Sequence, residues 1–343
     1  MKKLNKLVIA IFLLLFVTFD VFAAGGNRTG TGGAAQLLIP VGARGIALGG
    51  ANLAGTTGID ALYWNPAGVA ISNHNVDVTF SHMNYIADIG VEYGAVAAKI
   101  EGLGTFALAI KNLSIGEIPV TTTSNPDGTG ATFSPQMMTA GITFSRALTE
   151  NISVGVTGNL ITETLDQVSA TGVSFDAGVI YRNLGSINGL AFGVAMKNIG
   201  PQMQYDGSGL FYEASVSDQN RPPQYYKADS APFELPSTFE IGFAYTPQFD
   251  DVNALNLQTS FQNNNFSADE YKFGAEYVYD NLFFVRGGYT YGANIDSEDF
   301  IYGLTAGVGL NYDVEGMALK VDYAFRDVEY FDANHIFQVS LGF

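Results

Sequence analysis

The chain has 343 residues with 40 Gly, 18 Tyr and 25 Phe, no Cys and only 14% charged residues, which excludes a disulfide scaffold and any zinc–thiolate or thiol chemistry. Sixteen Lys and Arg against 33 Asp and Glu give a net charge of -17, the wrong sign for a protein that neutralises phosphates, so nucleic acid is not an expected partner. Hydrophobic residues reach 47%, yet beyond the first two dozen residues no run of about 18 apolar residues offers a spanning helix.

In chain order, Lys2, Lys3 and Lys6 precede an apolar stretch from Leu7 to Phe19, followed by small residues at Ala23 and Ala24. This pattern predicts a secretory signal peptide over residues 1–23, cleaved after Ala23, and the absence of Cys excludes a lipoprotein signal. Its removal leaves 13 basic against 32 acidic side chains, a net charge of -19. Residues 24–75 are Gly-rich and do not alternate, and are expected to form a separate N-terminal segment. They carry the run Gln36 to Ala51, with Ala43-Arg44-Gly45 and Gly49-Gly50-Ala51, and then Asn65-Pro66-Ala67-Gly68.

From Val76 to the end, residues 76–343, apolar and polar residues alternate with period two in segments of about ten, separated by Gly, Asn, Asp and Pro clusters. Fourteen segments are counted, beginning near residues 76, 91, 103, 136, 152, 172, 190, 237, 253, 270, 282, 300, 317 and 335. Ten-residue alternation with aromatic ends and an even strand count predicts an all-β fold, a 14-stranded antiparallel transmembrane β-barrel. The phase places Met317, Leu319, Val321, Tyr323 and Phe325 on the lipid face, and Ala318, Lys320, Asp322, Ala324 and Arg326 on the lumen face. Tyr302, Leu304, Ala306, Val308, Leu310 and Tyr312 form another predicted lipid face, as do Phe239, Ile241, Phe243 and Tyr245. On this phase an Arg at Ala324 is expected to be better tolerated than one at Val321.

Short connections follow the second, fourth, tenth and twelfth segments, whereas residues 114–135 and 200–236 are long, which predicts periplasmic turns and outer loops respectively. The predicted lumen face carries Gly141, Gly155, Gly178, Gly193, Gly242, Gly274, Gly288, Gly307 and Gly309. Strand glycines either mark close approach of another backbone, here the N-terminal segment, or relieve crowding. In the second long loop Tyr205, Phe211, Tyr212, Tyr225, Tyr226 and Phe233 either contact a partner or apolar ligand, or fold back over the barrel mouth.

The paired Ala-Arg-Gly…Gly-Gly-Ala and Asn-Pro-Ala-Gly runs ahead of fourteen strands resemble the hatch of the FadL superfamily of outer-membrane barrels. The modest length, the Asp127-Gly128-Thr129-Gly130 loop and the Asn198-Ile199-Gly200-Pro201 loop resemble the PorV/PorQ branch most. The resemblance implies a hatch at residues 24–75 plugging the barrel, with Arg44, Gly49, Gly50, Asn65, Pro66, Ala67 and Gly68 as its motif. It also implies a place in the outer membrane of a Gram-negative-type bacterium and a role at the surface end of type IX secretion, receiving exported protein. The alternative it implies is FadL-like passive uptake of long-chain fatty acids or other hydrophobic compounds. Partners are then outer-membrane lipids, exported proteins and secretion components, or hydrophobic small molecules.

Read from the residues themselves, Arg44 would meet carboxylates inside such a barrel, with Asp176, Glu163, Glu240 and Glu276 as candidates, either as a movable latch or as a static ion pair. Pro66 favours an extended Asn65, which suits an anchor of the hatch to the wall. Trp64, the only Trp, is either a ligand contact or a packing residue. No enzyme is expected: His74, His82 and His335 are the only imidazoles, and Ser81 and His82 point to opposite faces. No cofactor or metal site is expected, since Asp296, Glu298 and Asp299 lack the spacing of a calcium loop.

Overall fold

The computed structural model describes residues 30–215, 222–247, 250, 252–293, 295, 300–314 and 316–343; the predicted signal peptide with its predicted cleavage point, and the acidic residues Asp296, Glu298 and Asp299, lie outside them. Fourteen antiparallel strands close into a barrel: β1 Val76–Asn84, β2 Gly90–Ile100, β3 Gly104–Ser114, β4 Gln136–Ala147, β5 Ile152–Leu165, β6 Val168–Arg182 and β7 Leu190–Ile199 form the first half. The second half is β8 Thr238–Tyr245, β9 Asn253–Asn264, β10 Glu270–Tyr279, β11 Phe283–Gly292, β12 Tyr302–Val314, β13 Met317–Val328 and β14 Asn334–Gly342. Each strand pairs with its sequence neighbours, and β1 pairs with β14 through Val78↔Leu341 and Phe80↔Val339, so no edge is left open. Asn75 and Val76 donate to the Phe343 carbonyl at 2.7 and 3.2 Å, locking that seam.

Alternation fixes the register, because a one-residue slip would exchange the lipid and lumen faces. Val321 is exposed while Asp322 and Ala324 are buried, as the sequence phase requires. Two lipid-face assignments are corrected. Tyr302 pairs with Val328 while Thr305 pairs with Arg326, and this one-residue irregularity turns the Tyr302 ring into the lumen, where it lies against Arg326. Tyr245 is fully buried, packed with Ile187, Leu190, Phe243 and Leu257 where the 183–189 turn covers the strand end.

The rim carrying both strand termini has short turns, such as Asp280 and Asn281, both at positive φ as a two-residue hairpin turn demands. The opposite rim carries the long connections 115–135 and 200–237. It is not uniformly long, because β6 begins at Val168, earlier than its alternation suggests, and only Asp166 and Gln167 separate it from β5. That tall β5–β6 hairpin gives the second long loop a support: Asp206 and Gly207 pair with Ser169 and Val168.

Residues 30–75 fill the lumen with short helical turns, including α1 Ala43–Ala47 and α2 Ala61–Trp64. Their apolar side chains, among them Ile46, Ile59, Leu62 and Val69, share one core with inward residues of β1–β3, β13 and β14, such as Met83, Val91, Ala107, Ala324 and Ile336. The lumen at this height is therefore a protein core, not a water channel. Ala324 is wholly buried in it, so an Arg there, expected from the phase to cost less than one at Val321, would have to displace hatch side chains.

Candidate functional site

The glycine pattern of the wall matches the path of the hatch. A Cβ on Gly155 or Gly178 would run into Asn65, Pro66 or Ala67; on Gly193 into Leu53 or Ala54; on Gly242 into the wall at Thr259 and Ser260 and also against Leu53; on Gly274 or Gly288 into Leu48 or Gly49; and on Gly307 into Ala47. Gly141 and Gly309 face only wall side chains, Asn159 and Thr157 for the first, Asp322 and Arg286 for the second. Seven of the nine inward glycines are thus sites of close approach, and two relieve crowding within the wall.

The Ala-Arg-Gly…Gly-Gly run builds α1 and stops it. Gly49 donates to Ile46 and Gly50 to Gly45, both at 3.0 Å, a helix ending that needs the left-handed φ of 62° at Gly49. A Cβ at Gly49 would sit 2.7 Å from the Tyr289 amide, so hatch backbone lies directly on the wall. Trp64 covers Gly45, is buried, and meets Tyr63 edge to face at 5.1 Å. In the second run Asn65 is extended at φ -155°, accepts from Ala67 N at 3.1 Å, and donates to the carbonyls of Leu53, Val179 and Val194 at 3.2 to 3.4 Å. Pro66 starts the following turn, Ala67 gives its carbonyl to Ser145, and Gly68 leaves room for the Thr56 carbonyl.

Arg44 forms a two-pronged bond with Glu276, at 2.9 and 3.1 Å. Of the four carboxylates expected from sequence, only Glu276 meets it. Asp176 accepts from Asn159 and the Asn198 amide, Glu163 from Gln36 and Tyr205, and Glu240 pairs with Lys197 at 2.6 Å. Glu276 also accepts from Arg286 at 2.6 Å; Arg286 reaches Asp322 at 2.5 Å; Lys320 joins Asp322 at 3.4 Å to Asp60 at 2.9 Å. Gln338 completes the frame, donating to Asp60 at 2.7 Å and accepting from the Ala43 amide at 2.7 Å. Three cations face three carboxylates, and each partner set is balanced: Arg44 and Asp60 from the hatch, Arg286, Lys320, Glu276 and Asp322 from the wall. Burial alone would raise the Asp60 carboxyl, but Lys320 and Arg44 outweigh it and hold it at about 2. Burial works against the Arg44 charge, and Glu276 overcomes it, leaving the guanidinium above its ordinary value. Sequence reasoning did not join Asp60, Arg286, Lys320, Asp322 or Gln338 to Arg44; for Arg286, Lys320 and Asp322 the signal was a charge at an inward strand position of a cation-poor chain.

Above the hatch, toward the long-loop rim, lies a cavity of about 600 Å³. Leu37, Ile39, Leu62, Tyr63 and Trp64 of the hatch form its floor, and Tyr85, Tyr93, Lys111, Lys197, Lys272, Tyr302 and Arg326 stand in its walls. The six loop aromatics divide. Tyr205 and Phe233 stack at 5.4 Å and pack on Met203, Leu235 and the hatch residue Leu37, with the Tyr205 hydroxyl donating to Glu163. Phe211, Tyr212, Tyr225 and Tyr226 form a two-stranded hairpin, Phe211–Ala214 with Gln224–Lys227, on which Phe211, Tyr212 and Tyr225 are exposed.

The family model described as Type IX secretion system protein PorV matches residues 22–215, more than half of the chain. No curated protein sequence matches the chain. Among solved structures the chain is similar to the Pseudomonas putida toluene transporter TodX, at 13% identity and a TM-score of 0.54, over 87% of this chain and 96% of that one. It is also similar to a Pseudomonas aeruginosa FadL homologue, at 12% identity and a TM-score of 0.51, over 88% of this chain and 98% of that one. Identities this low bear on the fold alone.

Proposed function

The chain belongs to the PorV family of type IX secretion system proteins and is an outer-membrane barrel, and from that premise we propose that it receives exported protein on its outer face while its own lumen stays closed. The observation that carries this reading is the hatch, which packs the lumen against β1–β3, β13 and β14 and borders a cavity lined toward the long-loop rim by Ser267, Ala268 and Phe300. A protein arriving outside would then meet the exposed rings of Phe211, Tyr212 and Tyr225 on the paired strands Phe211–Ala214 and Gln224–Lys227, which supply contact area at little conformational cost. We assign no catalysis to the barrel: His74 is held by Asp77, His82 by Glu92 and His335 by Tyr323, so each imidazole has a structural partner.

Support for a second reading, passage of hydrophobic compounds, comes from the apolar part of the cavity floor and from the fold shared with the toluene transporter. A strain lacking the gene separates the two. The secretion reading expects proteins bearing a type IX signal to disappear from the culture medium, with uptake of long-chain fatty acids unchanged. Normal secretion with impaired uptake would replace it by the second reading.

A further inference from the structure

The hatch is packed in two separate parts. From Val41 to Val69 its apolar side chains belong to the core shared with β1–β3, β13 and β14, and the ion pairs of Arg44 and Asp60 tie the same stretch to the wall. The leading residues belong to a different cluster. Ala34 and Leu37 pack with Met203 and Leu235 of the second long loop and with Ile161 and Ala170 of β5 and β6, and Tyr205 and Phe233 lie against them. The chain passes from one part to the other through Pro40 and Gly42, the latter at a left-handed φ of 86° that favours glycine.

Polar contacts join the leading residues to the same loop. The Gly33 amide donates to the Glu234 carbonyl at 3.2 Å, and a Cβ on Gly33 would run into the Phe233 ring. Gln36 donates to one oxygen of Glu163 at 2.8 Å, and the Tyr205 hydroxyl donates to the other, so this buried carboxylate bridges hatch and loop. The loop braces itself: Met203 and Phe233 exchange two backbone bonds at 2.9 and 2.8 Å, and Ser230 donates to the Tyr205 carbonyl at 2.7 Å. Toward the cavity, Lys111 donates to the carbonyls of Gln36 and Ile39, and Tyr63 to those of Leu37 and Leu38. Water in the cavity can replace those bonds at little net cost, whereas the apolar contacts of Ala34 and Leu37 have no substitute once the loop leaves.

We propose that the second long loop is a latch on the leading end of the hatch. When the loop segments around Met203 and Phe233 lift from the barrel mouth, residues 33–38 come free about Pro40 and Gly42, and the body of the hatch stays seated. The cavity changes with them, because Ala35, Leu37, Leu38 and Ile39 line it. Their departure widens it and takes from Lys111 the two carbonyls to which it donates. The exposed rings of Phe211, Tyr212 and Tyr225 belong to the same connection, so a protein engaging them acts on the latch. The latch itself does not depend on what the outer face receives.

The chain has no Cys, so one introduced thiol reports on one place. Ala34→Cys puts it in the leading end and Ile46→Cys in the hatch body, both buried. The full-length barrel, purified in detergent, is treated with a maleimide–polyethylene glycol reagent, and the labelling rate is read as a gel shift. With the loop unaltered, both positions are expected to label slowly. Phe233→Ala should accelerate labelling at Ala34→Cys at least tenfold and Tyr205→Phe by a smaller factor, with Ile46→Cys unchanged in either background. Phe211→Ala, in the same loop but on its exposed hairpin, should alter neither rate. Heat-modifiable gel mobility establishes that each variant is a folded barrel, and Phe233→Leu replaces Phe233→Ala if that variant fails it. Rapid labelling of Ala34→Cys beneath the unaltered loop would overturn the proposal, as would a rate that neither latch variant changes. Equal acceleration at Ala34→Cys and Ile46→Cys would overturn it too, since the hatch would then move as one body. None of these rates involves secretion, so the latch and the secretion reading stand or fall separately.

Discussion

At the scale of single residues, the hatch is held by a few buried polar contacts whose loss should be measurable. Trp64, the only Trp and part of the hatch, is a built-in fluorescent reporter of seating. Glu276→Gln leaves Arg44 and Arg286 short of a carboxylate inside the barrel, and is expected to destabilise the seated hatch by roughly 3 to 5 kcal/mol. A lower urea midpoint for Trp64 fluorescence checks this, and an unchanged midpoint would show that the pair contributes nothing. Asp60 sets the response to acid. Its carboxyl, ordinarily 3.8, is held at about 2 in the folded chain, so its contribution is complete above about pH 4 and is lost as pH falls through about 2. Trp64 fluorescence should stay flat from pH 8 to pH 4 and change below that, and the part due to this group should vanish in Asp60→Asn. A transition centred near pH 6 would point to a different group. The Asn-Pro-Ala-Gly run was legible in sequence because Pro66 restricts its neighbour's backbone locally. The choice of Glu276 as the partner of Arg44 was not, because it depends on which strand faces α1 across 232 positions of chain.

At the scale of elements, the strands were legible because a two-residue period with lipid outside leaves one consistent register. Tyr302 escaped that logic through a one-residue irregularity, which period counting cannot see. Lumen positions differ in whether they pack against the hatch or face the cavity, and three arginine substitutions on two strands separate the cases. Val321→Arg faces lipid near mid-strand and should cost about 2 to 4 kcal/mol of barrel stability. Ala324→Arg, in the core shared with the hatch, should yield a barrel with an unseated hatch, whereas Thr139→Arg, on the cavity wall and outside that core, should assemble and keep it seated. Folding yield from heat-modifiable mobility, with Trp64 fluorescence for the hatch, gives the order; equal behaviour of Ala324→Arg and Thr139→Arg would contradict the packing described. Gly155→Val makes the same test from the wall side, since its side chain would meet the Pro66 carbonyl, and overpacking of this kind costs roughly 1 to 3 kcal/mol. Gly94→Val, with open space at its Cβ, is the control.

At the scale of the whole molecule, the barrel and the inner segment act as wall and floor, and the glycines of the wall record the course of the floor in the sequence. Seven of nine could be assigned to hatch contacts only with the structure, since each alone reads equally well as relief of crowding. The loop aromatics were legible as a group but not in their division, because whether a ring folds inward at Tyr205 or stays exposed at Tyr225 depends on the tall β5–β6 hairpin supporting the loop. Removing residues 24–75 should leave a barrel that inserts and conducts ions far better in a planar bilayer than the intact chain. The central claim, that this closed barrel receives exported protein on its outer face, is tested most directly by placing a photo-crosslinking phenylalanine derivative at Tyr225, which is 75% exposed on the outer hairpin. On irradiation of secreting cells, the expected result is an adduct with proteins bearing a type IX signal, absent when the same group replaces Val156 on the lipid face. Adducts with such proteins at neither position, in cells whose secretion requires this chain, would contradict it.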